Sequence, residues 1–136
     1  MRVEIMTWEK AQPLAAPIRF AIFFETDAPG IELDATDPQC AHAVAYDENG
    51  KPVGTARLQP DGHIGHLAVL REWRRLGVGA ALVEALVAEA LARGFKSVSL
   101  TAPLQAAEFY RERGFAGEGK VFKEGAALSQ KMRKDL

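Results

Sequence analysis

The sequence predicts a mixed α/β (α+β) layer structure, a mostly antiparallel sheet with flanking helices, as a single domain over residues 1–136. Three observations carry this. With 136 residues, 48% hydrophobic and 26% charged, the chain can bury roughly two thirds of its unfolded surface around one core, and it is too short for a two-domain enzyme. Between Ala41 and Leu70, short apolar segments alternate with turn residues, the pattern of an antiparallel meander. From Gly77 onward the apolar residues recur at helical spacing.

Taken in order, Val3 to Met6 reads as a first strand. Pro13 to Phe24 reads as one or two helical turns interrupted by Pro17, a residue suited to a helix start. Glu25 to Pro38 carries Glu25, Asp27, Glu32, Asp34 and Asp37 around Pro29 and Gly30, and is expected to be a solvated acidic loop. Three strands follow near 41–46, 52–58 and 63–70, separated by Asp47-Glu48-Asn49-Gly50 and Gln59-Pro60-Asp61-Gly62. The main helix is predicted over Gly77–Arg93: Val78, Leu82, Val83, Leu86, Val87, Ala90 and Leu91 share a helical period. Glu89 and Arg93 form an i,i+4 pair, and Gly94 stands at the C-terminal cap. Val98, Leu100 and Ala102 mark another strand. A helix from Pro103 to Gly114 and a strand pair between Phe115 and Met132 complete the order.

Composition excludes several functions. Seventeen Lys+Arg against 18 Asp+Glu, a net charge of -1, leave no overall positive field for nucleic acid or an anionic membrane, so any anion site must be local. Mean hydropathy is -0.10, within the range of globular proteins. The single cysteine, Cys40, cannot form an internal disulfide or a multi-thiolate zinc site, and it reads as packing in a reducing compartment. The first residues, MRVEIMTWEK, contain no apolar signal segment, and no apolar run approaches the roughly 20 residues of a membrane span. A cytoplasmic protein is the expectation.

The informative stretch is Ile64 to Ala80: a strand, then Arg71-Glu72-Trp73-Arg74-Arg75-Leu76, then Gly77-Val78-Gly79-Ala80 opening the long helix. Unpaired amides and the positive end of the helix dipole meet there, as a phosphate or pyrophosphate requires. Side chains at Gly77 and Gly79 would hold a ligand off those amides, and Arg71, Arg74 and Arg75 add fixed charge. A glycine-bearing loop with solvated arginines is the plainer reading. The nucleoside-triphosphate loop G-x-x-x-x-G-K-[ST] is absent, and Gly77-Val78-Gly79-Ala80-Ala81-Leu82 lacks the third small residue of the dinucleotide fingerprint, so the pyrophosphate of another cofactor is indicated.

These residues resemble a known family. Leu67-Ala68-Val69 followed by Arg74-x-x-Gly77-x-Gly79-Ala80 is similar to the acetyl-CoA signature of the GNAT superfamily of N-acetyltransferases, and Phe109-Tyr110-x-x-x-Gly114-Phe115 is similar to its second signature. The likeness covers essentially the whole chain. A narrower one is to the ElaA-like branch, through Arg19-x-Ala21-x-Phe23, Glu25, Pro29, Asp34-x-x-Asp37, His42 and Pro52-Val53-Gly54-Thr55-Ala56-Arg57-Leu58. The chain departs from that branch by one residue missing before Glu25, by Thr26 in place of glutamine, and by Ser129 where a histidine is usual.

The resemblance implies a splayed central strand pair, opening between the strand ending near Leu70 and the one ending near Ala102. It implies acetyl-CoA as co-substrate, with no metal. The pantetheine arm would lie along Leu67, Ala68 and Val69, and the pyrophosphate on the turn formed by Arg74, Arg75, Leu76, Gly77, Val78, Gly79 and Ala80. Tyr110 would protonate the leaving thiolate.

His63 and His66, an odd offset apart on a strand, are expected on opposite faces and so not to share a metal. His66 alone is a candidate general base. The competing alternative is an acceptor amine of lower pKa that needs no base. Trp8 and Trp73 read as packing. The resemblance gives an acetyl-CoA-dependent N-acetyltransferase acting on a primary amine by direct attack; a CoA-binding sensor module without transfer is the alternative. Small amine, amino sugar and protein amine all stay open as acceptors, and a homodimer stays open as the assembly.

Overall fold

The fold, taken from a computed structural model, describes residues 1–26 and 33–136. Strand β1 (Arg2–Met6) leads into helix α1 (Trp8–Thr26), and a 3-10 turn at Asp37–Gln39 precedes β2 (Ala41–Tyr46), β3 (Pro52–Leu58) and β4 (Ile64–Val69). A second 3-10 turn, Arg71–Trp73, leads to helix α2 (Val78–Ala92). Then come β5 (Ser97–Pro103), a third 3-10 turn at Leu104–Ala106, the short helix α3 (Ala107–Glu112), and the pair β6 (Ala116–Glu124) and β7 (Ala127–Asp135). No helix among the described residues is long and apolar enough to cross a membrane.

The strands form two antiparallel sheets, ordered β1-β2-β3-β4 and β5-β7-β6. Among the described residues they are bridged at one point, the parallel bridge of His63 to Ser99. Beyond that bridge β4 and β5 have no ladder between them, so the sheet is split into a V, as expected from the resemblance.

Helix α2 packs on one face of the first sheet because that face is built from small residues. Ala43 pairs with Ala56 and Ala45 with Gly54. A Cβ on Gly54 would stand 2.9 Å from Val78 Cγ1 and 3.1 Å from Leu82 Cδ1, so glycine sets the approach of the helix. Val78, Leu82, Val83, Leu86 and Ala90 are buried there with Val98, Leu100 and Met132. Burying one such aliphatic side chain is worth about 1.5–3 kcal/mol, so this stripe holds the two sheets to one helix.

Helix α1 covers the other face, with Ile18 and Ile22 against Ala68. It starts at Trp8, not at Pro13, and runs unbroken through both prolines. Pro13 and Pro17 lie one turn apart on the exposed side. The carbonyls they leave without an amide partner can therefore bond water, while Ala11, Ala15, Ile18 and Ile22 stay buried.

The expected solvated acidic loop is corrected at both ends. Its start, through Thr26, is the last turn of α1, and Asp37 is fully buried. Asp27, Pro29, Gly30 and Glu32 lie outside the described residues. The remaining elements fall where the pattern put them, with two shifts. Pro103 is the last residue of β5 and caps the 3-10 turn Leu104–Ala106, so α3 proper starts only at Ala107, and the last strand continues past Met132 to Asp135. Arg93 bonds Glu89 at 2.6 Å, and Gly94 takes the left-handed cap at φ 82°.

Candidate active site

The V between the sheets holds a cleft of about 430 Å³, bounded by His66 and Leu67 on one arm, Leu100 and Thr101 on the other, Val83 of α2 beneath, and Tyr110 of α3. Leu70 donates its amide to Val53 of β3, so backbone alternation turns the polar groups of Leu67 and Val69 away from β3, toward the open side. The Arg74 Nε contacts the Val69 carbonyl at 3.3 Å. Ala68 pairs with Thr55 and is buried against Ile18 and Ile22 of α1, so its side chain does not border the cleft.

At the head of the cleft the chain turns into α2. Arg75 at φ 62° and Gly77 at φ 84° both adopt left-handed backbone, which costs about 1–3 kcal/mol for a non-glycine residue. Ala81 makes the first helical bond, back to Gly77, so the amides of Val78, Gly79 and Ala80 have no helical partner. Gly77 has nothing within 4 Å of a virtual Cβ, and Gly79 only Leu67 Cδ2 at 3.8 Å. Among the described residues Gly77 thus faces open space and Gly79 meets only ordinary van der Waals contact. The Arg74 guanidinium also pairs with Glu25 at 3.2 Å.

The β4 arm is irregular at the cleft. Pairing with β3 slips between Thr55 and Arg57, and His66 sits in the bulge at φ 52°. Such a bulge re-aims the side chain it carries. His63 and His66 consequently both border the cleft, correcting the expected opposite faces: His63 precedes β4 and sits within 3.3 Å of Ser99 Oγ, and the bulge resets the alternation before His66.

Behind His66 lies a buried ionic cluster. Arg19 of α1 donates twice to Asp37, at 2.9 and 3.1 Å, and Arg57 of β3 donates to Asp37 at 3.0 Å and to Asp34 at 2.8 Å. Arg19 and Asp37 are fully buried and Arg57 nearly so. The His42 Nε2 lies 2.8 Å from the Asp37 carbonyl oxygen, an acceptor, so this nitrogen carries the proton. Trp8 packs its ring on both His42 and Arg19, the packing role read for it. Cys40 is buried, its thiol donating to the Thr36 carbonyl.

The charges tune one another. Hydrogen bonding from Arg57 holds Asp34 down at about 2, against the desolvation that opposes it. His66 is pushed down to about 4, first by burial and then by the Arg57 and Arg19 charges, so it is neutral at neutral pH. Burial also raises the Tyr110 phenol, which therefore stays protonated. Tyr110 packs edge-on against Phe109 and Phe115, ring centroids 5.2 and 5.8 Å away.

The sequence of residues 26–136 matches the GNAT acetyltransferase domain. The chain belongs to the GNAT acetyltransferase family. It is 34% identical over 130 residues to a Bacillus subtilis (strain 168) protein provisionally named as an acetyltransferase, covering 90% of this chain and 88% of that one. A Lactobacillus plantarum crystal structure, provisionally named an N-acetyltransferase, superposes with a TM-score of 0.83 at 28% identity, covering 100% of this chain and 99% of that one. Escherichia coli ElaA shares the fold, with a TM-score of 0.85 at 20% identity over 98% of this chain and 99% of its own.

Of the positions quoted for the ElaA-like likeness, Arg19, Asp34, Asp37, His42 and Arg57 come together as the cluster just described. Sequence reading did not bring them together. The available signal was a charged residue, Arg57, on a strand otherwise apolar or small, matched by the Asp34-x-x-Asp37 pair. Ser129, standing where a histidine is usual, is buried in β7 opposite Pro103 and Phe122. Trp73 packs on the main core.

Proposed function

We propose that the protein is an acetyl-CoA-dependent N-acetyltransferase that moves the acetyl group from the thioester to a primary amine by direct attack. The observation that carries this is the open edge of β4 leading straight to a helix N-terminus whose first three amides have no helical partner and where two glycines leave room. The pantetheine arm bonds the outward backbone of Leu67 and Val69, the residues on either side of Ala68. The pyrophosphate sits on Arg75, Leu76, Gly77, Val78, Gly79 and Ala80, with Arg74 exchanging Glu25 for phosphate oxygen.

In the reaction the amine nitrogen bonds the carbonyl carbon, and the collapsing tetrahedral intermediate breaks the carbon-sulfur bond. Tyr110 gives its phenolic proton to the departing thiolate, the proton lost by the attacking nitrogen passes to solvent, and the phenol regains one from there. The neutral His66 ring borders the same cleft. We read the whole chain as one such domain at work in the cytoplasm. A pocket that binds CoA without transfer is the competing reading.

Gly79→Val tests the cofactor assignment. Its Cβ meets only ordinary contact, so the fold is expected to persist, whereas Gly77 at φ 84° would add strain. Calorimetric titration should show CoA binding to the parent, no heat with ATP or NAD, and loss of CoA binding in Gly79→Val. Undiminished CoA binding by the variant would reject the site.

A further inference from the structure

Asp34 divides its two oxygens between two tasks. Oδ1 accepts from Arg57 at 2.8 Å, from the Thr36 amide at 2.9 Å and from the Asp37 amide at 3.2 Å. That oxygen is fully used in holding its own turn and the buried cluster. Oδ2 lies 3.3 Å from His66 Nε2, the inward, buried nitrogen of a ring whose side chain is only 10% exposed. Among the described residues Nε2 has no aligned hydrogen bond, and contacts of this kind in catalytic sites often tighten only when the reactants are bound.

We propose that Asp34 is a positioning residue that holds His66 as its Nε2–H tautomer through Oδ2, leaving the Nδ1 lone pair to take the proton shed by the attacking amine. This rests on the acetyl-transfer reading above. An ionised carboxylate can only accept, so Nε2 must carry the hydrogen for the contact to be favourable. Placing a non-glycine residue in left-handed backbone keeps the ring over Asp34 instead of on the regular sheet face.

The charged groups facing the ring are Arg57 from β3, Arg19 from α1, and Asp34 and Asp37 from the turn before β2. The two cations disfavour imidazolium and the two carboxylates favour it, so Asp34 supports the protonated state reached during transfer. Protons balance: the nitrogen loses one to Nδ1 as the carbon-nitrogen bond forms, and the sulfur gains one from Tyr110. His66 and Tyr110 then exchange with solvent, giving amide and free thiol.

The test is nitrogen NMR of imidazole-labelled protein at pH 7, combined with turnover of Asp34→Asn. The parent should show His66 as the Nε2–H tautomer. In Asp34→Asn an amide N–H can face Nε2 and reverse the tautomer, so the Nδ1–H form should appear, with kcat/KM lowered about ten-fold or more and CoA affinity unchanged. An Nδ1–H ring in the parent overturns the proposal without reference to activity. So does a tautomer reversed in the variant with turnover intact. A parent with the expected tautomer that acetylates no amine fails on the transfer reading, which is a separate result.

Discussion

Replacing Asp37 by alanine removes the one carboxylate that both buried guanidinium groups share. Asp37 has no exposed surface and receives two bonds from Arg19, one from Arg57 and one from the Asp34 amide at 3.0 Å. Arg57 keeps Asp34 as a partner, but Arg19, itself fully buried, keeps no carboxylate among the described residues. Breaking a buried pair from one side costs about 3–5 kcal/mol, because the remaining charge is left in a poor solvent. Against a total stability of about 5–15 kcal/mol this is a large fraction, and it corresponds to a fall in Tm of about 10–20 °C at this chain length. Arg19→Met should cost less, since Asp37 would still hold Arg57 and the Asp34 amide. Urea unfolding followed by circular dichroism reads both: midpoints should fall in the order parent, Arg19→Met, Asp37→Ala, with unchanged slope. A loss below about 1 kcal/mol in Asp37→Ala would refute the cluster as the tie between α1 and the sheet.

Tyr110→Phe should leave CoA affinity near that of the parent and lower kcat by about 10²-fold or more, as loss of a positioned acid does; equal turnover would make Tyr110 a packing residue. Acid should weaken the fold through His66. Its folded value of about 4 lies below its ordinary 6.5, so the unfolded chain binds the extra proton and stability present above pH 6.5 is lost as pH falls toward 4. Between pH 7 and pH 4.5 this amounts to about 2–3 kcal/mol, checked as a urea midpoint that falls less steeply with acid in His66→Gln than in the parent. His42 and His63, also lowered by burial, act in the same direction. Gly54→Val pushes a side chain into Val78 and Leu82 and should cost about 1–3 kcal/mol by thermal melting.

Elements with a plain period were legible in the sequence: β2, β3, α2 and β5 fall within a residue or two of their apolar pattern, because their side chains meet one core. Helix α1 was not, since its prolines break the local rule while its buried face obeys the helical period; tertiary burial outweighed propensity. The glycine turn at Gly77 and Gly79 was legible, as was the placing of Tyr110 on the cleft. The left-handed backbone at His66 and Arg75 was not, for neither residue type signals it; at His66 it goes with the bulge in the β3–β4 pairing, and at Arg75 with the turn that leads into α2. The ionic cluster was hidden for another reason. Asp34 and Asp37 in a run with Glu25, Asp27 and Glu32 read as solvent-facing until α1 and β3 bring Arg19 and Arg57 to them.

The most direct measurement of the central claim is mass spectrometry of a panel of primary amines incubated with acetyl-CoA and the purified protein. The panel spans small alkylamines, amino sugars, amino acids and peptides with free α-amino or lysine groups. At least one amine should gain a single acetyl mass, with one equivalent of free CoA thiol released per product and the reaction abolished in Gly79→Val. CoA bound by the parent with no amine acetylated and no thiol released across the panel would contradict transfer.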